Sequence, residues 1–279
     1  MSWTTERISV NKRDYAVHHW TGQANAPVII ALHGFTGAGQ DFEVLAGHPT
    51  NTYTWVCPDC LGHGDSHAPE LMSAYSLENF IAMMDALFAK YGKQGNTFVL
   101  GYSQGGRLAL HWAMRHGQKL AGLVLIGATA GIETPMERAE RVDLDNKRAA
   151  RIKRFGVEEF LREWMSSPLI ATQSRLPEPW KSALLKRREK NSVAGLTGAL
   201  TYWGAGVLPS LWDDLPKLAC PVLIITGTED TKFSGLAQRM ARNFLRSRFV
   251  QVPEAGHAAH LEAPAKALSF INDFIKTTL

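Results

Sequence analysis

The stretch VLGYSQGGRLAL, residues 99–110, decides how the rest of the chain is interpreted. It begins as a short apolar run, passes through a serine set between glycines, and continues with helical spacing. A serine at neutral pH is a poor nucleophile or base unless an imidazole accepts its proton and an acid orients that imidazole. Residues 101–105 have the form G-x-S-x-G, in which small neighbours let a serine occupy a strained turn between a strand and a helix. The turn predicts that Ser103 is a catalytic residue.

Short apolar runs alternate with helical patterns along the chain, which predicts an α/β fold with a mostly parallel, twisted sheet flanked by helices. The runs are too short for helices and are typical of strands buried on both faces. Polar residues 11–14 inside the alternating segment Arg7–Trp20 predict an antiparallel hairpin at one edge. The predicted strands are Val28–Leu32, Phe98–Leu100, Leu123–Ile126, Val222–Thr226 and Phe249–Val252, and the predicted helices are Leu77–Tyr91, Gly105–His116, Gly235–Leu245 and Pro264–Ile275.

Residues 131–206 contain no strand-like run, only helical patterning with breaks at Pro168, Pro177 and Pro179. This segment carries 14 Lys and Arg against 10 Asp and Glu, a net charge of +4 that equals the net charge of the whole chain. We interpret it as a helical lid inserted before the acid-bearing strand. Residues 1–130 and 207–279 then form the core domain.

Composition narrows the function classes. With 45% hydrophobic and 20% charged residues in a chain of 279, the protein is expected to be globular. Its charged N-terminus and the lack of a membrane-length apolar run favour a cytoplasmic location without membrane insertion. The net charge is small and no run of five like charges occurs, so nucleic-acid binding is not expected. No His/Cys cluster has metal-ligand spacing, so no metal is predicted, and Cys57 and Cys60 are expected to be structural thiols.

The partners that Ser103 needs occur in the order serine, acid, histidine, each just after a predicted strand. Asp230 follows the strand that ends near Thr226, with Glu229 as the alternative acid. His257 follows the next strand, with His260 as its nearest competitor. The positions predict a catalytic triad of Ser103, Asp230 and His257.

An oxyanion hole in such a site takes one backbone N–H from the residue after the serine and one from an earlier strand-end loop. These donors are predicted to be Gln104 and Phe35, the latter in the loop His33–Gly37. His63 lies in the turn Asp59–Ser66 and is predicted to be structural.

The segment Gly101–Arg107, Gly-Tyr-Ser-x-Gly-Gly-Arg, resembles the corresponding segment of the 2-succinyl-6-hydroxy-2,4-cyclohexadiene-1-carboxylate synthases, the MenH family of menaquinone biosynthesis within the α/β-hydrolase superfamily. The resemblance extends over nearly the whole chain. It includes His33–Gly37, Asp59–Ser66, Leu211-Trp212, Glu229–Phe233 and Ala255–His257.

The substrate of that family carries several carboxylates, and arginines bind them because a guanidinium can offer two parallel N–H bonds to one carboxylate. The resemblance implies substrate binding by Arg107, Arg188 and Arg141. Arg138 is the alternative to Arg141, since Val142 stands where a second arginine often follows in the family. The aromatic pocket residues implied by the resemblance are Tyr102 and Trp164.

The reaction implied is a lyase reaction: elimination of pyruvate from 2-succinyl-5-enolpyruvyl-6-hydroxy-3-cyclohexene-1-carboxylate, with Ser103 as the base and without a cofactor or an acyl-enzyme. Two other interpretations remain. A carboxylesterase or carbon–carbon bond hydrolase would use the same triad through an acyl-enzyme, and a non-catalytic receptor would bind a small ligand on the same scaffold.

Overall fold

A computed structural model describes residues 3–279 and contains an eight-stranded sheet in the order β1-β2-β4-β3-β5-β6-β7-β8. No helix among these residues combines the length and the apolarity needed to cross a membrane. The strands are β1 (Trp3–Val10), β2 (Arg13–Trp20), β3 (Val28–Leu32), β4 (Thr54–Pro58), β5 (Thr97–Tyr102), β6 (Gly122–Ile126), β7 (Val222–Gly227) and β8 (Ser247–Val252). The α-helices are α1 (Glu43–Ala46), α2 (Leu77–Tyr91), α3 (Gln104–His116), α4 (Pro135–Met165), α5 (Glu178–Glu189), α6 (Val193–Trp203), α7 (Thr231–Asn243), α8 (Ala259–Glu262) and α9 (Pro264–Thr278).

The edge of the sheet is the predicted antiparallel hairpin. β1 and β2 pair from Trp3 with Trp20 to Val10 with Arg13, so two residues form the turn. Both of these, Asn11 and Lys12, have positive φ angles, the conformation that a tight hairpin turn requires. β2 pairs with β4 in the antiparallel direction, and β3 to β8 are all parallel to one another. The predicted α/β fold with a mostly parallel sheet is confirmed.

The sheet separates two apolar layers because successive side chains of a strand point to opposite faces. In β3, Ile30 belongs to the buried cluster on the face covered by α2, α3 and α7, whereas its neighbour Ile29 belongs to the cluster on the face covered by α1, α8 and α9. All five residues of β3 and of β6 are buried, as expected for strands covered by helices on both sides.

The predicted helix Gly235–Leu245 is shifted in the structure. α7 begins four residues earlier, at Thr231, because the side chain of Asp230 accepts a hydrogen bond from the N–H of Phe233 (3.3 Å) and thereby caps the helix. It ends at Asn243, so Leu245 lies beyond the helix.

Three helices, α4 to α6, follow β6 and precede β7, within the segment predicted to be helical. α4 and α6 pack together through apolar side chains such as Ile152, Phe160 and Leu196. The predicted breaks did not include Gly156, whose φ of +83° interrupts α4. Pro177 and Pro179 lie at the start of α5.

Candidate active site

Ser103 lies in a sharp turn between β5 and α3, with φ 51° and ψ −112°. This conformation is strained for a residue with a side chain, and the surroundings are tight enough to hold it. A Cβ atom at Gly105 would lie 2.3 Å from the carbonyl oxygen of His33, and one at Gly106 would lie 2.5 Å from the Cβ of Ala128. The glycines of the opening motif therefore let the serine turn sit against two neighbouring strand-end loops.

A hydrogen-bond chain runs from Ser103 through His257 to Asp230. The Oγ of Ser103 lies 2.9 Å from Nε2 of His257, and Nδ1 of His257 lies 2.6 Å from Oδ2 of Asp230. Because a carboxylate only accepts, Nδ1 carries the proton, and Nε2 is free to accept the serine hydroxyl. The other oxygen of Asp230 caps α7, so both oxygens of this carboxylate are held. The structure thus brings together the three residues of the predicted triad.

The competing acid and histidine have other partners. Glu229 accepts two hydrogen bonds from Arg175 and faces solvent. His260 is buried with its ring between Phe42 and Tyr102. Burial, together with the nearby His257, lowers the pKa of His260 to about 3, so this imidazole is neutral at physiological pH.

The two predicted oxyanion donors lie beside Ser103. Gln104 is the first residue of α3, so its N–H has no partner within the helix. The N–H of Phe35 has no hydrogen-bond acceptor among residues 3–279. The loop of Phe35 is fixed by His33, whose Nδ1–H donates to the carbonyl of Gly34 (2.8 Å) while its Nε2 accepts the N–H of Cys60 (2.9 Å).

His63 packs beneath this loop, where its ring lies against His33 and Trp203. Its Nδ1 contacts the carbonyl of Leu61 at 3.2 Å. Burial, and to a smaller degree the neighbouring His33, lowers the pKa of His63 to about 3. A buried neutral ring without contact to Ser103 agrees with the predicted structural role.

A cavity with an empty volume of about 880 Å³, open solvent at its mouth included, lies over the serine and histidine. Tyr102 and Trp164, the two aromatic residues implied by the resemblance, both line it. The ring of Trp164 stacks on Phe160 (centroids 5.9 Å apart) and meets Phe35 edge-on at 5.5 Å. α4 therefore supplies an aromatic wall directly over the loop of Phe35.

Arg107 lines this cavity from the first turn of α3 and is buried. Its Nη2 donates to the carbonyl of Trp203, and its buried Nε has no partner. It forms no ion pair with any carboxylate of residues 3–279. Burial and the charge of Arg141 lower its pKa to about 10, against an opposing effect of Asp145, so it remains a cation at neutral pH.

Arg188 projects into the cavity from α5 and is also buried. It donates to Gln173 Oε1 (2.7 Å) and to the sulfur of Met165, and its buried Nε has no partner. Burial lowers its pKa, while the charge of Asp41 opposes that effect. Like Arg107, it forms no ion pair within the described chain.

Arg141 lines the cavity, whereas its alternative Arg138 does not and instead donates to the carbonyls of Gly206 and Val207. The Nε of Arg141 donates to Oδ2 of Asp145 (2.8 Å). The other oxygen of Asp145 accepts from Arg148 (3.0 Å), which also lines the cavity. One buried carboxylate therefore holds two guanidinium groups at the wall of the pocket.

Sequence reasoning missed Arg148, Asp145 and Gln173. The first two stand seven and four residues after Arg141, the spacing of one helix face, so the signal was present in the sequence. Gln173 lies in the 3-10 turn Ala171–Arg175, which has no periodic pattern that could have revealed it.

Within residues 3–279, His18, Asp59 and Asp65 place possible metal-ligand atoms within 4.8 Å of one another. The hydrogen bonds of Asp59 account for this group. Its Oδ1 accepts the N–H of Gly39 (2.7 Å), and its Oδ2 accepts from the N–H of Asp65 (2.8 Å) and lies 3.1 Å from His18. The carboxylate thus fixes the turn after β4 to the neighbouring loops. Cys57 and Cys60 are buried free thiols close to this turn.

Comparison with known proteins agrees with this geometry. The family model described as the alpha/beta hydrolase fold matches residues 27–264. A Bacillus subtilis (strain 168) protein, named as a candidate 2-succinyl-6-hydroxy-2,4-cyclohexadiene-1-carboxylate synthase, is 35% identical over 254 residues, which cover 91% of this chain and 92% of that protein. The chain belongs to the MenH family of the α/β-hydrolase fold.

Other members of the MenH family match at similar length. The synthase of Serratia proteamaculans (strain 568) is 30% identical over 91% of this chain and 95% of its own. The solved structure of MenH from S. aureus superposes with a TM-score of 0.87 at 26% identity, covering 94% of this chain and 98% of that one. This chain and that MenH structure thus share one fold over nearly their whole lengths.

Proposed function

We propose that this protein is a lyase that eliminates pyruvate from 2-succinyl-5-enolpyruvyl-6-hydroxy-3-cyclohexene-1-carboxylate in menaquinone or phylloquinone biosynthesis. The names of its relatives support this reaction. The observation that carries the proposal is the cavity itself. A Ser-His-Asp hydrogen-bond chain opens into it beside two buried guanidinium groups that have no carboxylate partner within residues 3–279. A base next to unpaired buried cations suits proton removal from a polyanionic substrate.

The bond changes follow from the structures of substrate and product. The substrate has one ring double bond, at C3, and the product has two, at C2 and C4. A proton therefore leaves C2, beside the succinyl carbonyl, and the C5–oxygen bond to enolpyruvate breaks. The electron pair of the C–H bond forms the new double bond at C2, the existing double bond shifts to C4, and the leaving enolate takes up a proton to become pyruvate.

In the proposed mechanism Ser103 is the base. His257 accepts the serine proton at Nε2 while Asp230 stabilises the imidazolium that forms, so the serine oxygen gains the basicity to remove the C2 proton. Negative charge then develops on the succinyl carbonyl oxygen, where the N–H groups of Phe35 and Gln104 would stabilise it. The chemistry needs no acyl-enzyme and no cofactor.

The arginines supply the other half of the proposal. The substrate carries three carboxylates: on the ring, on the succinyl group and on the enolpyruvyl group. Arg107 and Arg188 are proposed to bind two of them, because an unpaired buried guanidinium gains most from a carboxylate partner. Arg141 is proposed as the third contact, with Tyr102 and Trp164 packing on the ring.

We also propose that residues 131–206 act as a lid over a core formed by the rest of the chain. Trp164 and Arg188 belong to this segment and line the same cavity as Ser103, which supports the assignment. Closure over the substrate would exclude water, and the carboxylate contacts would then be stronger.

The test is pyruvate release from the proposed substrate, coupled to lactate dehydrogenase, with p-nitrophenyl acetate hydrolysis measured beside it. We expect fast pyruvate release that is lost in Ser103→Ala. Ester hydrolysis without pyruvate, accompanied by an acyl-enzyme in the intact mass, would identify a serine hydrolase instead. Ligand binding without either reaction would identify a receptor.

A further inference from the structure

We propose that Glu262 is a positioning residue for His257, and that it connects the loop of His257 to the segment inserted between β6 and β7. The inference rests on the proposed function because it assumes that His257 moves the proton of Ser103. Glu262 does not contact Ser103, the oxyanion donors or Arg107. Its effect would therefore pass through the backbone on either side of His257.

The carboxylate of Glu262 accepts hydrogen bonds from both sides of His257. Oε2 accepts from the N–H of Gly256 (2.7 Å), and Oε1 accepts from the N–H of Ala258 (3.2 Å). The side chain of Glu262 is only 5% exposed, so solvent does not compete strongly for these bonds. Two peptide groups that flank one residue and bind one rigid carboxylate restrict how that residue can rotate.

The inserted segment contributes the third hydrogen bond. The hydroxyl of Thr172 donates to Oε1 of Glu262 (3.0 Å), and its side chain packs on Gly256, where a Cβ atom would lie 2.3 Å from the Thr172 oxygen. Arg175, on the same turn, pairs with Glu229 and lies 3.7 Å from Glu262. The turn Ala171–Arg175 therefore touches the loops that carry both Asp230 and His257.

This arrangement has a consequence for proton transfer. His257 must keep two hydrogen bonds in line at once, 2.6 Å to Asp230 and 2.9 Å to Ser103, and small displacements of the ring weaken both. Gln173, which binds Arg188 in the pocket, lies directly after Thr172. The turn thus connects a substrate-binding arginine to the backbone that aims the imidazole.

The experiment compares Glu262→Gln with Glu254→Gln. The first substitution keeps the shape of the side chain but places an amide NH₂ where a carboxylate oxygen accepted an N–H, so one peptide group loses its acceptor. Glu254 is an exposed carboxylate in the same loop and serves as the matched control. Four quantities are measured: kcat and KM for pyruvate release, the low-field NMR signal of the His257 Nδ1 proton, and the urea midpoint.

We expect kcat of Glu262→Gln to fall about 10- to 100-fold with KM changed less than about twofold, because misplacement of a catalytic group acts on the chemical step. The low-field signal should shift or broaden in the folded variant, and Glu254→Gln should match the wild type. Thr172→Val, which replaces the hydroxyl with a methyl group, should give a smaller fall in kcat and keeps the test valid if Glu262→Gln does not fold.

A purely structural Glu262 would give a lower urea midpoint with an unchanged low-field signal and unchanged kcat in the folded fraction, and that result would overturn the inference. For Thr172→Val, an unchanged kcat and an unchanged signal would do the same. Failure of the proposed function is distinguishable because Ser103→Ala would then retain pyruvate release, or wild-type protein would show none.

Discussion

Arg107 Nη2 donates to the carbonyl oxygen of Trp203 at 3.3 Å, which joins α3 to the end of α6 without neutralising the guanidinium. A neutral carbonyl orients the group and leaves its charge for a ligand. A buried cation without a counter-ion is costly to the folded state, and such an arrangement is expected where binding compensates for it.

We therefore predict that Arg107→Met lowers kcat/KM for pyruvate release by about 100-fold or more, because a buried charge-assisted carboxylate contact is lost. The same variant should raise the free energy of unfolding, since an unpaired buried charge is replaced by an apolar chain. Steady-state kinetics and urea unfolding of one preparation check both. Loss of activity together with loss of stability would show that Arg107 only holds the serine turn.

The second prediction concerns Arg148, which shares Asp145 with Arg141. Arg148→Gln should raise KM about 10-fold and change kcat less, because Arg148 lines the cavity and the loss of its positive charge would weaken carboxylate binding equally in the ground and transition states. Arg138→Gln is the matched control on the same helix, since Arg138 binds only carbonyls outside the cavity. Equal effects of the two substitutions would remove Arg148 from the binding site.

The third prediction separates the two tasks of Asp230. In Asp230→Asn the amide oxygen can still cap α7 through Phe233, but the amide NH₂ cannot accept the Nδ1 proton of His257. We expect kcat to fall about 1000-fold or more while the urea midpoint changes little. Glu229→Gln, one residue earlier, should keep nearly full activity. A large loss of activity in that control would contradict the assignment of the acid.

The fourth prediction is a pH dependence of stability. The pKa of His63 and of His260 is lowered from 6.5 to about 3 by burial, so between these values the unfolded chain binds more protons than the native protein. The contribution of these two histidines to the free energy of unfolding should then fall as the pH is lowered from about 7.5 to about 5, by about 2 kcal/mol for each.

Urea unfolding at both pH values measures this dependence. His260→Phe keeps an aromatic ring between Phe42 and Tyr102 and should lose about 2 kcal/mol less than the wild type over the same interval. Substitution of an exposed histidine, His67→Gln, should leave the pH dependence unchanged. If the free energy of unfolding of His260→Phe depends on pH as that of the wild type does, the lowered pKa of His260 does not contribute to this dependence.

The strands and the serine turn were predictable because their signals are local. Short Val- and Ile-rich runs define buried strands, and a serine between glycines defines a strained turn, so the parallel sheet follows from residues such as Val28 and Gly105 without tertiary information. The positions of Asp230 and His257 were predictable because parallel strands end at one edge of the sheet.

Other features depend on tertiary contacts. Gly156 lies in a helical pattern, and nothing in that pattern reports its positive φ. The start of α7 depends on a side-chain cap from Oδ1 of Asp230, the carboxylate whose other oxygen binds His257. Thr172, which donates a hydrogen bond to Glu262, lies 90 positions before it in the sequence. No local pattern reports such a contact.

The groups proposed to transfer protons and most of the groups proposed to bind carboxylates are encoded in different stretches of the chain. Ser103, Asp230 and His257 stand on strand-end loops, whereas Arg141, Arg148 and Arg188 all lie on the helices between β6 and β7. Exchange of that one continuous stretch between homologues would transplant the pattern of positive charge and leave the base in place. Two recombination events in the gene, one on each side of this stretch, would therefore change which carboxylate substrates the pocket binds.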